Sequence, residues 1–241
     1  NPSISNATTA ASGVYTVTVT SGTCTATGTV TATVNALPSI TGTLTVCAGL
    51  TTQLSGSGAP AAVNPWVSAT PAVATVNSTG LVTGVTAGTS VITYTNSNGC
   101  IRTATVTVNA LPTITGTLSV CAGLTTQLTG SASPAVSNPW ISATPAVATV
   151  NSSGLVTGVT AGTSVITYTN TNGCVRTATV TVNALPTITG TLSVCAGLTT
   201  QLSGSASPAV SNPWVSATPA VATINSTGLV TGVTVGTSVI T

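Results

Sequence analysis

Along most of this chain, apolar and hydroxyl residues alternate one for one. Runs such as Tyr15-Thr16-Val17-Thr18-Val19-Thr20 and Ala104-Thr105-Val106-Thr107-Val108 carry a period of two. That is the period of a half-buried β-strand, and no helical periodicity interrupts it. Between positions 39 and 108 the pattern predicts seven short strands: Ser39–Val46, Thr51–Ser55, one carrying Trp66, Ala72–Val76, Leu81–Val85, Thr89–Thr95 and Cys100–Val108. Asn77-Ser78-Thr79-Gly80 is the corner between the fourth and fifth. Asn98-Gly99 reads as a type I′ turn between the sixth and seventh, since both central positions of that turn need positive φ. Seven strands with turn signals at short intervals predict an all-β fold of sandwich type.

The pattern then repeats. Asn-Ala-Leu-Pro begins at Asn35, Asn109 and Asn183, a spacing of 74 residues. Domains are therefore expected at 35–108, 109–182 and 183–241, the third without its last strand. Residues 1–34 read as the closing strands of a preceding sandwich. Gly13-Val14-Tyr15 there has the form of a corner in which a tyrosine bonds back across the bend. Without an initiator Met or a signal peptide, the chain is expected to be an excerpt, a processed piece or one link of a polymer. The Gly-free junctions, each with a proline, are expected to hold successive units in a fixed relation, giving a rod or filament.

Composition narrows the function. The 241 residues include two Arg and no Lys, Asp, Glu or His. Acid–base catalysis and nucleophile activation both need a titratable partner, so no enzyme, no catalytic residue and no cofactor is expected. Calcium and magnesium sites lack their carboxylates, and two isolated arginines cannot neutralise a nucleic-acid backbone. Mean hydropathy is +0.59, yet Thr, Ser or Gly breaks every apolar run before it reaches transmembrane length. A transmembrane barrel would need aromatic girdles, against three Trp, three Tyr and no Phe here. A nearly uncharged surface tends to associate, so self-association into a filament, or continuation in a longer tandem chain, is expected.

Six cysteines add a redox constraint. Cys47 and Cys100 are 53 residues apart, as are Cys121 and Cys174. One member precedes the second strand and the other opens the last, which suggests one shared end of the sandwich. Disulfides Cys47–Cys100 and Cys121–Cys174 are therefore expected. Paired Cys-x-x-Cys motifs and His are both missing, so no metal site is expected. Cys24 and Cys195 remain as candidates for an intermolecular disulfide. Disulfides place the chain in an oxidising, extracellular or cell-surface setting.

The segment Trp66-Val67-Ser68-Ala69-Thr70-Pro71-Ala72-Val73-Ala74-Thr75-Val76, followed by Gly80-Leu81-Val82-Thr83-Gly84-Val85 and Gly88-Thr89, resembles the bacterial immunoglobulin-like group 2 domain. It recurs from Trp140 and from Trp214. The resemblance implies a seven-strand sandwich that serves as a spacer or adhesive stalk in surface adhesins, other cell-surface proteins and phage structural proteins. The tandem style is similar to that of large secreted proteins of Bacteroidota. Family members usually carry charges on exposed strand faces, and the added cysteine pair is not a family hallmark; both departures favour an assembled, oxidised fibre.

Three residue sets allow two readings each. Trp66, Trp140 and Trp214 are either core residues of the third strand or a sugar-stacking platform, and the core reading is preferred. Arg102 and Arg176 share strand parity with inward positions and are expected to snorkel outward at the domain end. Asn6, Asn77, Asn151 and Asn225 fit the N-glycosylation pattern, but the last three are also what a turn requires. The function expected is a structural segment of an extracellular fibre, completed head-to-tail by strand addition. The alternative is an adhesin stalk or a glycan- or receptor-binding module.

Overall fold

The computed structural model describes residues 5–241, and apart from one 3₁₀ turn (Thr9–Ala11) its elements are all strands. Residues 1–4 of the expected leading segment lie outside the described residues. A hairpin comes first, pairing β1 (Gly13–Ser21) with β2 (Cys24–Ala32). Unit one follows with β3 (Ile40–Gly42), β4 (Thr45–Cys47), β5 (Thr51–Gly56), β6 (Trp66–Ser68), β7 (Ala74–Val76), β8 (Leu81–Gly84), β9 (Gly88–Thr95) and β10 (Ile101–Asn109). These build two sheets, in the orders β3-β5-β8-β7 and β4-β10-β9-β6.

Unit two repeats the arrangement with β11 (Ile114–Gly116), β12 (Ser119–Cys121), β13 (Thr125–Gly130), β14 (Trp140–Ser142), β15 (Ala148–Val150), β16 (Leu155–Gly158), β17 (Gly162–Thr169) and β18 (Val175–Asn183). Unit three contributes β19 (Ile188–Gly190), β20 (Thr199–Gly204), β21 (Ala222–Ile224) and β22 (Leu229–Gly232). They form one sheet, β19-β20-β22-β21.

The expected first strand divides in two. Gly42 has φ +123°, and a Cβ there would collide with the Gln53 carbonyl. The kink passes the chain from one sheet to the other, so β4 runs parallel to β10 on the opposite layer. The alternation continues straight through Gly42-Thr43-Leu44, which hides the switch from a period count.

The type I′ turn at Asn98-Gly99 is also corrected. Gly99 takes φ +76°, while Asn98 is not among the positive-φ residues. The Asn96 side-chain oxygen closes the bend instead, accepting the N–H groups of Asn98 at 3.1 Å and Cys100 at 2.9 Å. An internal acceptor removes the need for a second left-handed residue.

Between the sheets of unit one lie Val46, Leu54, Trp66, Ala74, Val82, Ile92, Tyr94, Val106 and Val108, and unit two repeats this core position for position. Trp66 tilts against Tyr94 with ring centroids 4.6 Å apart, a contact that adds to the area the two rings bury. Gly80, at φ +85°, fits between the Leu54 carbonyl and the Trp66 ring, where no Cβ has room.

The repeated Trp-Val-Ser-Ala-Thr-Pro run has a polar reason as well. Ser90 is buried, and its hydroxyl meets Ser68 Oγ at 2.8 Å while accepting the Thr70 N–H and Oγ1–H, each at 3.1 Å. Ser68 donates onward to the Ala74 carbonyl at 2.6 Å. Three short segments are thus tied to β9 with no buried side-chain polar atom left unpaired among the described residues.

Candidate interface sites

The strand directions set where the cysteines lie. β4 pairs with β10 so that Cys47 stands opposite Asn109, at the end where the chain leaves unit one. Cys100 immediately precedes β10, at the end where the chain enters. Nine residues of extended strand separate those ends, roughly 30 Å at about 3.3 Å per residue. A disulfide bridges Cα atoms no more than about 7 Å apart. The expected Cys47–Cys100 bridge is therefore absent, and Cys121–Cys174 is absent for the same reason, since Cys121 stands opposite Asn183. Sequence spacing placed each pair at one end because it could not show that β4 and β10 run parallel.

The bond that does form joins Cys47 to Cys174, with Cα atoms 5.7 Å apart. It crosses from the exit pole of unit one to the entry pole of unit two, beside the connecting run Asn109-Ala110-Leu111-Pro112. At the entry pole, Thr113 is pinned by its N–H to Ser131 Oγ at 2.8 Å and by its carbonyl to the Ser131 N–H at 2.9 Å. Asn172, on the turn before Cys174, reaches a crevice of about 280 Å³ that is otherwise lined by unit one residues such as Thr45, Cys47, Leu50 and Asn109. Burial follows the contact: Cys174 is fully buried, whereas its counterpart Cys100 is half-exposed. Cys121 is half-exposed where its counterpart Cys47 is buried.

Two sheet faces are uncovered. On β1–β2 the residues Tyr15, Val17, Val19, Ala26, Val30 and Ala32 share one face, and threonines occupy most of the other. Val17 is 58% exposed and Val30 65%, against 0% for Val106 in unit one. Tyr15 donates its hydroxyl to the Ala11 carbonyl at 2.5 Å, the corner that the Gly13-Val14-Tyr15 run predicted. In unit three, Ile188, Leu192, Leu202, Val221, Val230 and Ile240 line a cavity of about 620 Å³ on the inner side of the sheet. Cys24 and Cys195 are both exposed and unbridged. Cys24 sits at a hairpin turn, as Cys100 and Cys174 do, while Cys195 aligns with the exit-pole cysteines Cys47 and Cys121. If such a hairpin closed unit three, Cys24 and Cys195 would lie at opposite poles of one sandwich.

The remaining candidates are placed as follows. Trp66 and Trp140 are buried in their cores, and Trp214 is half-buried. Arg102 and Arg176 are exposed despite their inward parity. Asn77 uses its side-chain oxygen to accept the Thr79 and Leu81 N–H groups at 3.0 and 2.9 Å, and Asn151 and Asn225 do the same in units two and three. Asn6 is exposed with φ +54°. Among the described residues no three potential metal ligands come together, and no helix is long and apolar enough to cross a membrane. The Ser90 network and the junction contact were the features that sequence reasoning missed. The 74-residue spacing of Cys100 and Cys174 was the available signal for the junction.

Two stacked sheets in each of units one and two, with one of the two sheets repeated in unit three, define an all-β immunoglobulin-like architecture. Residues 38–108 match the family described as bacterial Ig-like domain (group 2). It is 35% identical over 202 residues to Ice-binding protein 1 of Shewanella frigidimarina (strain NCIMB 400), a match covering 73% of this chain and 22% of that protein. Among solved structures, domains 4 and 5 of the S-layer protein SbsC share 21% identity, covering 62% of this chain and 98% of that one, with a TM-score of 0.28. The C-terminal 282-residue fragment of intimin, solved with an intimin-binding domain of its receptor, shares 22% identity over 75% of this chain and 60% of that one, with a TM-score of 0.33.

Proposed function

We propose that this chain is a non-catalytic length of an extracellular, surface-associated fibre built from tandem Ig-like units. The observation that carries the reading is the junction between units one and two, where a connection of a few residues and a covalent Cys47–Cys174 link join the two sandwiches end to end. A binding module on a free tether has no need of such a link, whereas a load-bearing rod does. The absence of His, Lys, Asp and Glu from the sequence removes the usual groups for acid–base chemistry. The disulfide and the similarity to an ice-binding protein support an extracytoplasmic setting. Ice binding itself stays with that relative, of which this chain spans 22%.

Head-to-tail closure is part of the proposal. The apolar face of β1–β2 is of the kind that β9–β10 and β17–β18 present inside units one and two. The inner side of unit three is of the kind that such a hairpin covers by strand addition. A glycan-binding reading would need exposed aromatics, and Trp66 and Trp140 are committed to their cores. Negative-stain electron microscopy tests the fibre: filaments or jointed rods are expected, and a monodisperse globular particle would contradict it.

A further inference from the structure

We propose that the Cys47–Cys174 bond is one rung of a repeating clasp. In that pattern the exit-pole cysteine of each unit is bonded to the hairpin-turn cysteine of the unit that follows, and no unit carries a bridge within itself. The argument rests on the 74-residue repeat. Cys121 is Cys47 advanced by one repeat, and Cys174 is Cys100 advanced by one repeat. The local frames are equivalent too: Cys47 pairs with Asn109 and Cys121 with Asn183, each through a parallel edge strand. Cys100 and Cys174 each donate their N–H at 2.9 Å to an asparagine side chain, Asn96 and Asn170.

Polarity then assigns partners. Cys121 takes the hairpin-turn cysteine of the unit stacked on its exit pole, and Cys100 takes the exit-pole cysteine of the unit stacked on its entry pole. Cys195 belongs to the first type and Cys24, at the β1–β2 turn, to the second. Cys47 and Cys174 are the two residues whose assigned partners are each other, and they are the two that are bonded. The half-exposure of Cys100 and Cys121 is what an unformed rung predicts, because stacking is what buries their counterparts.

The chemistry of each rung is thiol–disulfide exchange with an external disulfide of low molecular weight or of an oxidoreductase. One cysteine thiolate attacks the oxidant's disulfide, forming a mixed disulfide and releasing one oxidant thiol. The second cysteine thiolate attacks the protein-side sulfur of that mixed disulfide and releases the other. Two protein thiols become one disulfide, and the oxidant gains two electrons and two protons.

The pattern does not rest on the fibre reading, and its test keeps the two apart. A copy of the stretch 168–183 is appended to Thr241 of the full chain, giving unit three a hairpin turn and its cysteine. The protein is oxidised with a glutathione redox pair, free thiols are alkylated, and disulfide-linked peptides are mapped without reduction. The expected result is a second cross-link, from Cys121 to the appended cysteine, beside Cys47–Cys174. Cys121→Ser should abolish the second and keep the first. A bridge from the appended cysteine to Cys195, or a free appended cysteine beside an intact Cys47–Cys174, would overturn the proposal. A chain that forms both rungs yet makes no filaments would sink the fibre and leave the clasp standing.

Discussion

Cys47 is bonded to Cys174, 127 residues further along the chain, and not to Cys100 in its own sandwich. The parallel pairing of β4 with β10 is responsible, because it puts Cys47 beside Asn109 at one pole and leaves Cys100 at the other. Covalent closure thus acts between units, and the sandwiches must be held internally by packing and hydrogen bonds alone. Cys174→Ser is expected to leave both cores folded while freeing the connection at 109–113. Small-angle scattering should show a broader distribution of interdomain distances than in the oxidised parent. In the chain-entropy picture, the coupled unfolding of units one and two should lose up to about 5 kcal/mol.

Two glycines separate backbone strain from crowding. Gly80 and Gly99 both hold positive φ, at +85° and +76°. A Cβ at Gly80 meets the Leu54 carbonyl and the Trp66 ring, whereas one at Gly99 meets nothing within 4 Å. Gly99→Ala should cost about 1–2 kcal/mol, the price of a left-handed L-residue. Gly80→Ala should cost clearly more, in the range of about 3–5 kcal/mol, because backbone must move as well. Urea denaturation of the two variants side by side checks the ranking.

Ser90→Ala should destabilise unit one by about 1–3 kcal/mol, since it removes the buried acceptor of the Thr70 N–H and the hydroxyl partner of Ser68, which keeps only its bond to the Ala74 carbonyl. A change in denaturation midpoint without a change in slope would locate the effect in the folded state. A loss below about 0.3 kcal/mol would remove Ser90 from the account of why the Ser-Ala-Thr-Pro run is repeated.

Replacing Val17 and Val30 by Lys converts the exposed apolar face of β1–β2 into a charged one. If that face mates with an open sandwich, sedimentation velocity should show association lost while the melting of units one and two is unchanged. Undiminished association would remove the hairpin from the contact.

Much of this was legible in the chain itself, and the failures share a cause. The period of two located the strands, the spacing of Asn-Ala-Leu-Pro gave the repeat, and Gly13-Val14-Tyr15 announced its corner, because each is written in local order. The switch at Gly42 and the partner of Cys47 were not legible. Both depend on which sheet a three-residue edge strand joins and in which direction, and alternation reads the same for either choice. The Ser90 network lay in plain sight as repeated serines, but hydroxyls are so abundant here that nothing marked Ser90 as the buried one. The exposure of Arg102 and Arg176 was anticipated from the stem length of the side chain, against the parity of its strand.

The most direct measurement uses the two arginines as scissors. Trypsin cleaves after Arg102 and Arg176, giving pieces 1–102, 103–176 and 177–241. Cys47 and Cys100 share the first piece, and Cys121 and Cys174 share the second. The oxidised chain, alkylated, denatured and digested without reductant, should yield the first two pieces joined by a disulfide, with the third released. Reduction should then separate them. Three unlinked pieces, with Cys47 bonded to Cys100 inside the first, would contradict the account.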